Sequence, residues 1–535
     1  FQEFAVTICV AILISGVVSV TLTPMLSSRF LKAHHGQRSK FYQVTERWFE
    51  AWLASYDRSL LFVMRHRPAT MVFSLAILGA TVWLFKEVPK GFIPDQDTDQ
   101  MTVITEAQEG TSFALMVQYQ NQIAEKLRQD PAIDSLVSNV GGTASATLGG
   151  NNYGQIVVHL KPRHERTELV DKIIERIRPE ISQFPGIKVY PQNPPVVRIG
   201  GLVSKSQYQY TLYSPDKTAL YETAQELTQE LKKLPSLVDV TNDLMIKSPQ
   251  IKVEVNRDKA ASMQVNVTQI ENALFDAYGP RWASTIYSPV NEYKVLLELM
   301  PEYQSDPKLL SMLYFKAGNN RLIPLDALAT VELDSGPLAI SHYGQLTAVT
   351  VSFGVKPGAS LGTALDGVAG VAKDILPETV SASFQGSAAA FYGSLGNLWI
   401  LLGVAIAVVY IVLGILYESF IHPITILSGL PSAGFGALLT LYLFKMDLSI
   451  YAFVGLIMLI GIVKKNAIMQ IDFALDAERD GMSPDEAIYQ GCLVRFRPIM
   501  MTTMCALLGA VPIAVGYGAG GEARQPLGRN ADLIR

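Results

Sequence analysis

Two adjacent lysines, Lys464 and Lys465, interrupt an apolar run. The run carries no charge over Leu448–Val463 and resumes with Ala467, Ile468 and Met469. A lysine at bilayer depth costs about 2.5–3.5 kcal/mol on insertion scales, so an intramembrane ion marks an ion pathway by default. The chemistry open to it is proton exchange, because a lysine beside a carboxylate holds its proton while the acid is ionised. Neighbours on a helix stand about 100° apart, so only one of the two can face a given partner. A second suggestive stretch is the glycine-rich run from Gly141 and Gly142 through Gly149 and Gly150 to Tyr153 and Gly154. A phosphate cradle would need a helix start and a Lys-Ser/Thr pair, which are absent here. The run reads as a mobile loop.

The elements that must position these residues are mostly apolar helices. Hydrophobic residues make up 49% of the 535. Uncharged stretches occur at Ala5–Leu26, Pro68–Phe85, Gly396–Tyr417, Pro423–Phe444, Leu448–Val463 (continuing to Ile471) and Pro498–Gly520. Each is near the roughly 20 residues that cross a hydrocarbon core, so six transmembrane helices are expected. The spans hold no Asp or Glu before Asp472, at the cytoplasmic end, so an acidic partner for the lysines is not in this chain. Arg495 and Thr502 lie seven apart, on one face of the sixth span. The first and last residues suggest a piece of a longer protein.

Ser27–Arg67 carries eight Lys/Arg against three acids. By the positive-inside rule it is cytoplasmic, and the polar stretch Glu87–Leu395 lies outside. Within that loop Phe41, Thr45, Trp48, Trp52, Tyr56 and Leu60 recur at helical spacing. They predict an amphipathic helix in the interface plane. Net charge is −4, which gives no encouragement to nucleic-acid binding. Cys9, Cys492 and Cys505 all lie in or beside spans, so the outer region has no disulfide, zinc or thiol site. No catalytic triad or nucleotide motif points to an enzyme, and no cofactor is implied.

The outer region repeats a strand, an amphipathic helix, a proline and a strand four times. The prolines are Pro131, Pro185, Pro235 and Pro377, placed where a helix cannot continue. Units of this length make split βαβ, ferredoxin-like modules. The stretch 248–333 interrupts the third and fourth units and predicts a separate small domain with a projecting hairpin. The expected fold is thus α+β, with a six-span helix bundle and ferredoxin-like outer subdomains.

At specific motifs the chain resembles the resistance–nodulation–division (RND) efflux transporters, in the hydrophobe/amphiphile multidrug branch. These are Thr21-Leu22-Thr23-Pro24, Gly91-Phe92-Ile93-Pro94-Asp95-Gln96-Asp97, Tyr417-Glu418-Ser419, Gly461-Ile462-Val463-Lys464-Lys465-Asn466-Ala467-Ile468 and Arg495-Phe496-Arg497-Pro498. The resemblance implies the following organisation. Residues 1–30 hold the family's sixth transmembrane helix, 31–67 the cytoplasmic loop and 68–88 the next span. Residues 89–200 form one periplasmic porter subdomain; 201–247 with 334–390 form a second. Residues 248–333 form a funnel or docking subdomain, 391–520 four spans, and 521–535 an atypical tail.

The resemblance further implies a bacterial inner-membrane secondary transporter, not an enzyme. It would be a trimer, with like or unlike subunits, that expels amphiphilic drugs, detergents or bile salts against protons. It would work in contact with lipid, beside a periplasmic adaptor and an outer-membrane channel. Lys465 matches the family's proton-relay lysine, with Asn466 beside it and Arg495 and Thr502 as further relay residues. Lys464 is then expected to snorkel or to pair with a cytoplasmic acid. The glycine-rich run matches the switch loop of the drug pocket. It has Tyr153 but no Phe, and Val157 stands where an aromatic is expected, which suggests amphiphiles other than broad aromatic drugs. A heavy-metal exporter or a non-transporting sensing module are the alternatives. The first would want metal-ligand clusters, and the intramembrane lysine argues against the second.

Overall fold

The computed structural model describes residues 2–30, 40–141, 150–197, 199–200, 204–279, 281–318, 320–516, 518, 520–521 and 524–526. The chain forms two compact units: Phe1–Ala76 with Ile468–Thr502, and Ile77–Ala467 with Thr503–Arg535. It opens with three helices, α1 (Gln2–Phe30), α2 (Lys40–Arg65) and α3 (Arg67–Glu87).

The first pair of repeat units comprises β1 (Gln100–Ala107), α4 (Phe113–Arg128), β2 (Ile133–Val140), β3 (Tyr153–Leu160), α5 (Val170–Ile181) and β4 (Ile187–Gln192). All strand pairings are antiparallel and the order is β2-β3-β1-β4. One sheet face packs on the helices. Met101, Val103, Ile156, Val158 and Val189 meet Met116 and Ile123 of α4 and Ile173 and Ile177 of α5. That is the period of two along strands against three-to-four along helices that a buried layer demands.

Helix starts are capped by side chains, which satisfies otherwise orphaned N–H groups. Ser112 accepts from Leu115 N, and the Asp97 carboxylate accepts from Val170 N at 3.0 Å. Arg166 holds that carboxylate and also Asp99, with Arg166 and Asp97 almost wholly buried. Burial pushes the Asp97 pKa up, but Arg166 and two backbone N–H groups outweigh it and hold it below 3.8.

The second pair of units repeats this plan. It has β5 (Tyr208–Ser214), α6 (Lys217–Leu231) and β6 (Leu237–Asn242), and then an insertion before its second half. The insertion contains β7 (Ser248–Val255), α7 (Val267–Tyr278), β8 (Arg281–Tyr287), β9 (Glu292–Leu297) and β10 (Ala329–Gly336). β7 pairs with β10 at its base, and β8 with β9 as a hairpin whose Tyr287 and Val290 are 80% and 94% exposed. After it come β11 (Leu346–Val355), α8 (Leu361–Ile375) and β12 (Ser381–Gln385). The sheet runs β6-β11-β5-β12, the same interleaving of two units as in the first sheet. Asp216 and Ser360 cap α6 and α8.

The remaining helices are α9 (Gly386–Tyr417), α10 (Ile421–Leu427), α11 (Leu430–Leu443), α12 (Ile450–Arg479) and α13 (Pro484–Val515). Six helical stretches among the described residues are long and apolar enough to cross a membrane, by length and composition. Two differ from the expected spans. The fourth breaks at Ser428–Gly429, next to Pro431. The stretch 472–497 between the last two apolar runs is mostly helix, because α12 and α13 run on past their apolar parts and turn around Gly481. Polar residues extend a helix freely once water solvates its surface.

In the first unit α2 packs on the polar end of α13. Tyr56 stacks on Phe496 at 4.6 Å, Tyr489 donates to Asp57, and Arg497 makes a two-pronged contact with Glu46. Trp48, Leu61 and Phe62 stay exposed. So the helix has a protein-facing side as well as the apolar side that its period predicts.

Candidate functional site

The two lysines have opposite surroundings. Lys464 is 3% exposed, and its Nζ donates to the carbonyl of Ile426 at 2.7 Å. Ile426 lies in the last turn of α10, where helix carbonyls lose their intrahelical partners. This corrects the expectation of snorkelling or a cytoplasmic acid: the helix break supplies a buried backbone acceptor. Lys465 is exposed and Asn466 half-buried. Among the described residues no carboxylate forms an ion pair with Lys465.

Arg495 and Thr502 sit on α13, in the first unit, whereas Lys465 and Asn466 belong to the second. The Arg495 guanidinium lies 5.6 Å from the Phe473 ring. Its Nε is buried without a hydrogen-bond partner among the described residues. The Thr502 hydroxyl donates to the Ile499 carbonyl at 3.0 Å, the local backbone bond that helical threonines favour.

Outside the spans, the uncovered face of the first sheet looks onto the second subdomain. Alternation along β1, β3 and β4 places Thr102, Ile104, Glu106, Tyr153, Gln155, Val157, Tyr190 and Gln192 on it. Thr102, Ile104, Gln155 and Gln192 line a cavity of about 200 Å³ with Ser204, Ser206, Gln207, Gln209 and Ser387. Ile104, Pro194, Pro195 and Ile199 complete its walls, which mix amides and hydroxyls with aliphatic side chains and hold no aromatic ring.

At one end of that face lies a charged knot that the sequence did not announce. The Lys205 Nζ lies 2.6 Å from Glu106 Oε1 and donates to the Asn242 carbonyl at 2.8 Å. Tyr153 and Tyr190 donate to the two Glu106 oxygens at 2.8 and 3.0 Å. Burial, then the Glu106 charge, push both phenol pKa values up, so both stay protonated donors. Its members come from β1, β3, β4, a linker and the end of β6; the signal was only a lone lysine in a polar linker.

A second recess, of about 520 Å³, is lined by Phe92, Asp95, Asp171, Tyr208, Lys356 and Asp447 among others. Here the Gly91-Phe92 segment meets the helix bundle: Leu448 N donates to Pro89 O at 2.7 Å, and Ile450 N to Phe92 O at 3.0 Å. Gly91 is required by closeness, since a Cβ there would stand 2.7 Å from the Asp447 Cβ. Burial raises the Asp447 pKa to about 6. Burial and then the Asp171 charge raise Asp95 to about 6, although water still reaches Asp95.

The glycine-rich run lies partly outside the described residues. Gly142 and Gly149 lie outside the described residues. Gly141 takes a left-handed φ of +67°, and its N–H bonds to Tyr153 O at 3.1 Å. Gly150 is crowded: a Cβ would stand 2.5 Å from Asn152 Oδ1 and 2.7 Å from Leu338. Tyr153 is fully buried in the knot, and Val157 is half-buried between Thr102 and Val137 on the sheet.

Paired β–α–β subdomains joined to apolar helices, one of which carries two lysines within its apolar run, point to the RND-type transporter family. The AcrB/AcrD/AcrF family matches residues 1–530, and the chain belongs to that family, whose members are secondary transporters rather than enzymes. The fold is also similar to a crystal structure of a heavy metal efflux pump, with a TM-score of 0.82 and 22% identity. That likeness covers 90% of this chain and 50% of the other, so this chain spans about half its length.

Proposed function

We propose that this chain is part of a proton-driven inner-membrane pump that exports amphiphilic drugs, detergents or bile-salt-like compounds. Lys465 carries this reading. It is an exposed ammonium in an apolar run whose other charge, Lys464, is held by a backbone carbonyl, and it forms no ion pair with a carboxylate among the described residues. Such a charge at bilayer depth calls for a partner, and with no carbonyl bonded to it as at Lys464 the partner in this reading is an acid supplied from outside this stretch. Protonation of that acid releases the contact, giving a two-state switch that can drive domain motion. Asn466, Arg495 and Thr502 are assigned to the same relay.

Under this reading the six apolar helices are spans, and residues 89–200 and 201–247 with 334–390 are ferredoxin-like periplasmic porter subdomains. The 248–333 insertion is a docking subdomain whose exposed β8–β9 hairpin suits contact between protomers of a trimer. A periplasmic adaptor and an outer-membrane channel complete the assembly. The cleft, which mixes amides and hydroxyls with aliphatic side chains and has no aromatic ring, favours amphiphiles over flat aromatic drugs. Lys465→Ala in the complete pump, in efflux-deficient cells, should abolish export. Wild-type resistance in that variant would overturn the proposal.

The heavy metal pump likeness favours a second reading, metal export. At 22% identity it speaks for the fold alone, and among the described residues no group of three His, Cys, Asp or Glu is placed to hold a metal. Resistance to copper or silver salts, in place of detergents, would select that reading.

A further inference from the structure

We propose that Lys464 is a positioning residue for Lys465: anchored on the Ile426 carbonyl, its ammonium fixes the rotational setting of α12. This rests on the role proposed above for Lys465. The two residues are neighbours, about 100° apart on the helix, and the structure sends one inward and the other outward. Whatever holds Lys464 therefore sets the direction in which Lys465 points.

The anchor is specific. Nζ to Ile426 O is 2.7 Å, and both residues are buried, at 3% and 1% exposure. The acceptor lies at the C-terminal end of α10, where the helix dipole and the unpaired carbonyls favour a cation. The Ser428–Gly429 break opens this notch; a Cβ on Gly429 would stand 3.8 Å from Nζ. Among the described residues Lys464 forms no ion pair with a carboxylate, so it is not itself half of a charge pair.

A carbonyl does not titrate. The anchor therefore holds in every protonation state of the coupling site, which is what a fixed reference for a switching neighbour needs. A proton carrier at Lys464 would instead have to lose its charge during the cycle. Arginine separates these roles, because it donates hydrogen bonds but is not deprotonated in proteins.

The test uses the complete pump with Lys464→Met, Lys464→Arg and Lys465→Ala. Export of a detergent and of a cationic dye is measured at matched membrane abundance. Labelling of Lys465→Cys by a membrane-permeant maleimide, with Cys9, Cys492 and Cys505 replaced, reports the helix setting. Lys464→Met should cut export at least tenfold and change the labelling rate at least fivefold. Lys464→Arg should keep a third or more of the export. Wild-type export or unchanged labelling in Lys464→Met overturns the inference, as does an Lys464→Arg pump as inactive as Lys464→Met. If Lys465→Ala exports normally, the coupling role of Lys465 falls, and this inference with it. If only Lys465→Ala fails to export, this inference alone falls.

Discussion

The Glu106–Lys205 knot should respond asymmetrically to removal of either partner. Lys205 and Glu106 are 5% and 15% exposed, and Nζ and Oε1 are 2.6 Å apart. Removing one partner of a buried pair costs about 3–5 kcal/mol, because a charge is left uncompensated. Lys205→Met leaves Glu106 with two tyrosine donors, at 2.8 and 3.0 Å. Hydrogen bonds to a charged group contribute about 1.5–3 kcal/mol each, so this loss falls near the lower bound, about 3 kcal/mol. Glu106→Gln leaves the ammonium with the Asn242 carbonyl, the Tyr153 ring and only the longer-range charge of Asp243, so its loss falls towards the upper bound, about 5 kcal/mol. At roughly 2–4 °C per kcal/mol for a domain of this size, the melting shifts are about 6–12 °C and 10–20 °C. The Glu106→Gln/Lys205→Met double variant should lose less than the sum of the two single losses, about 5–7 rather than about 8 kcal/mol, a coupling of about 1–3 kcal/mol. Scanning calorimetry of the detergent-solubilised protein measures all three. A smaller loss for Glu106→Gln than for Lys205→Met, or strict additivity, would refute the reasoning.

Further expectations can be checked in the same preparations. Asp447 has a folded pKa raised from 3.8 to about 6, so its ionisation costs stability fully above pH 6 and progressively less as pH falls towards 3.8. Asp447→Asn should therefore stabilise the protein at pH 7.5 by up to about 3 kcal/mol before solvent screening, and by much less at pH 4.5; pH-dependent melting tests this. Asp97 has the opposite sign. Its pKa is lowered, so its contribution is present above about 3.8 and lost as pH falls through the lowered value, and Asp97→Asn should lose most at neutral pH. Gly91→Ala drives a methyl against Asp447 and should cost about 1–3 kcal/mol, seen as lower membrane abundance. Gly150→Pro should block export if the glycine-rich loop must move, and unchanged resistance would count against that.

What the sequence made legible was local and periodic. The four strand–helix–strand units fall where alternation, helical spacing and the prolines at 131, 185, 235 and 377 place them, because each of those signals acts within a few residues. Interleaving of the units into β2-β3-β1-β4 and β6-β11-β5-β12 carries no such local mark. The Glu106–Lys205 knot joins residues 99 apart and needs two sheets to exist first. Lys464 shows the same limit most sharply. The run Pro423–Phe444 reads as one continuous span, and Pro431 alone hints at a break within it. Only the folded chain opens the Ser428–Gly429 notch and exposes the Ile426 carbonyl to the lysine. A backbone carbonyl has no signature of its own in a sequence, so a charge satisfied by one looks like an unsatisfied charge. Side-chain patterns therefore locate charges within an apolar run, whereas the break in the neighbouring helix decides which of two adjacent lysines is anchored on a backbone carbonyl.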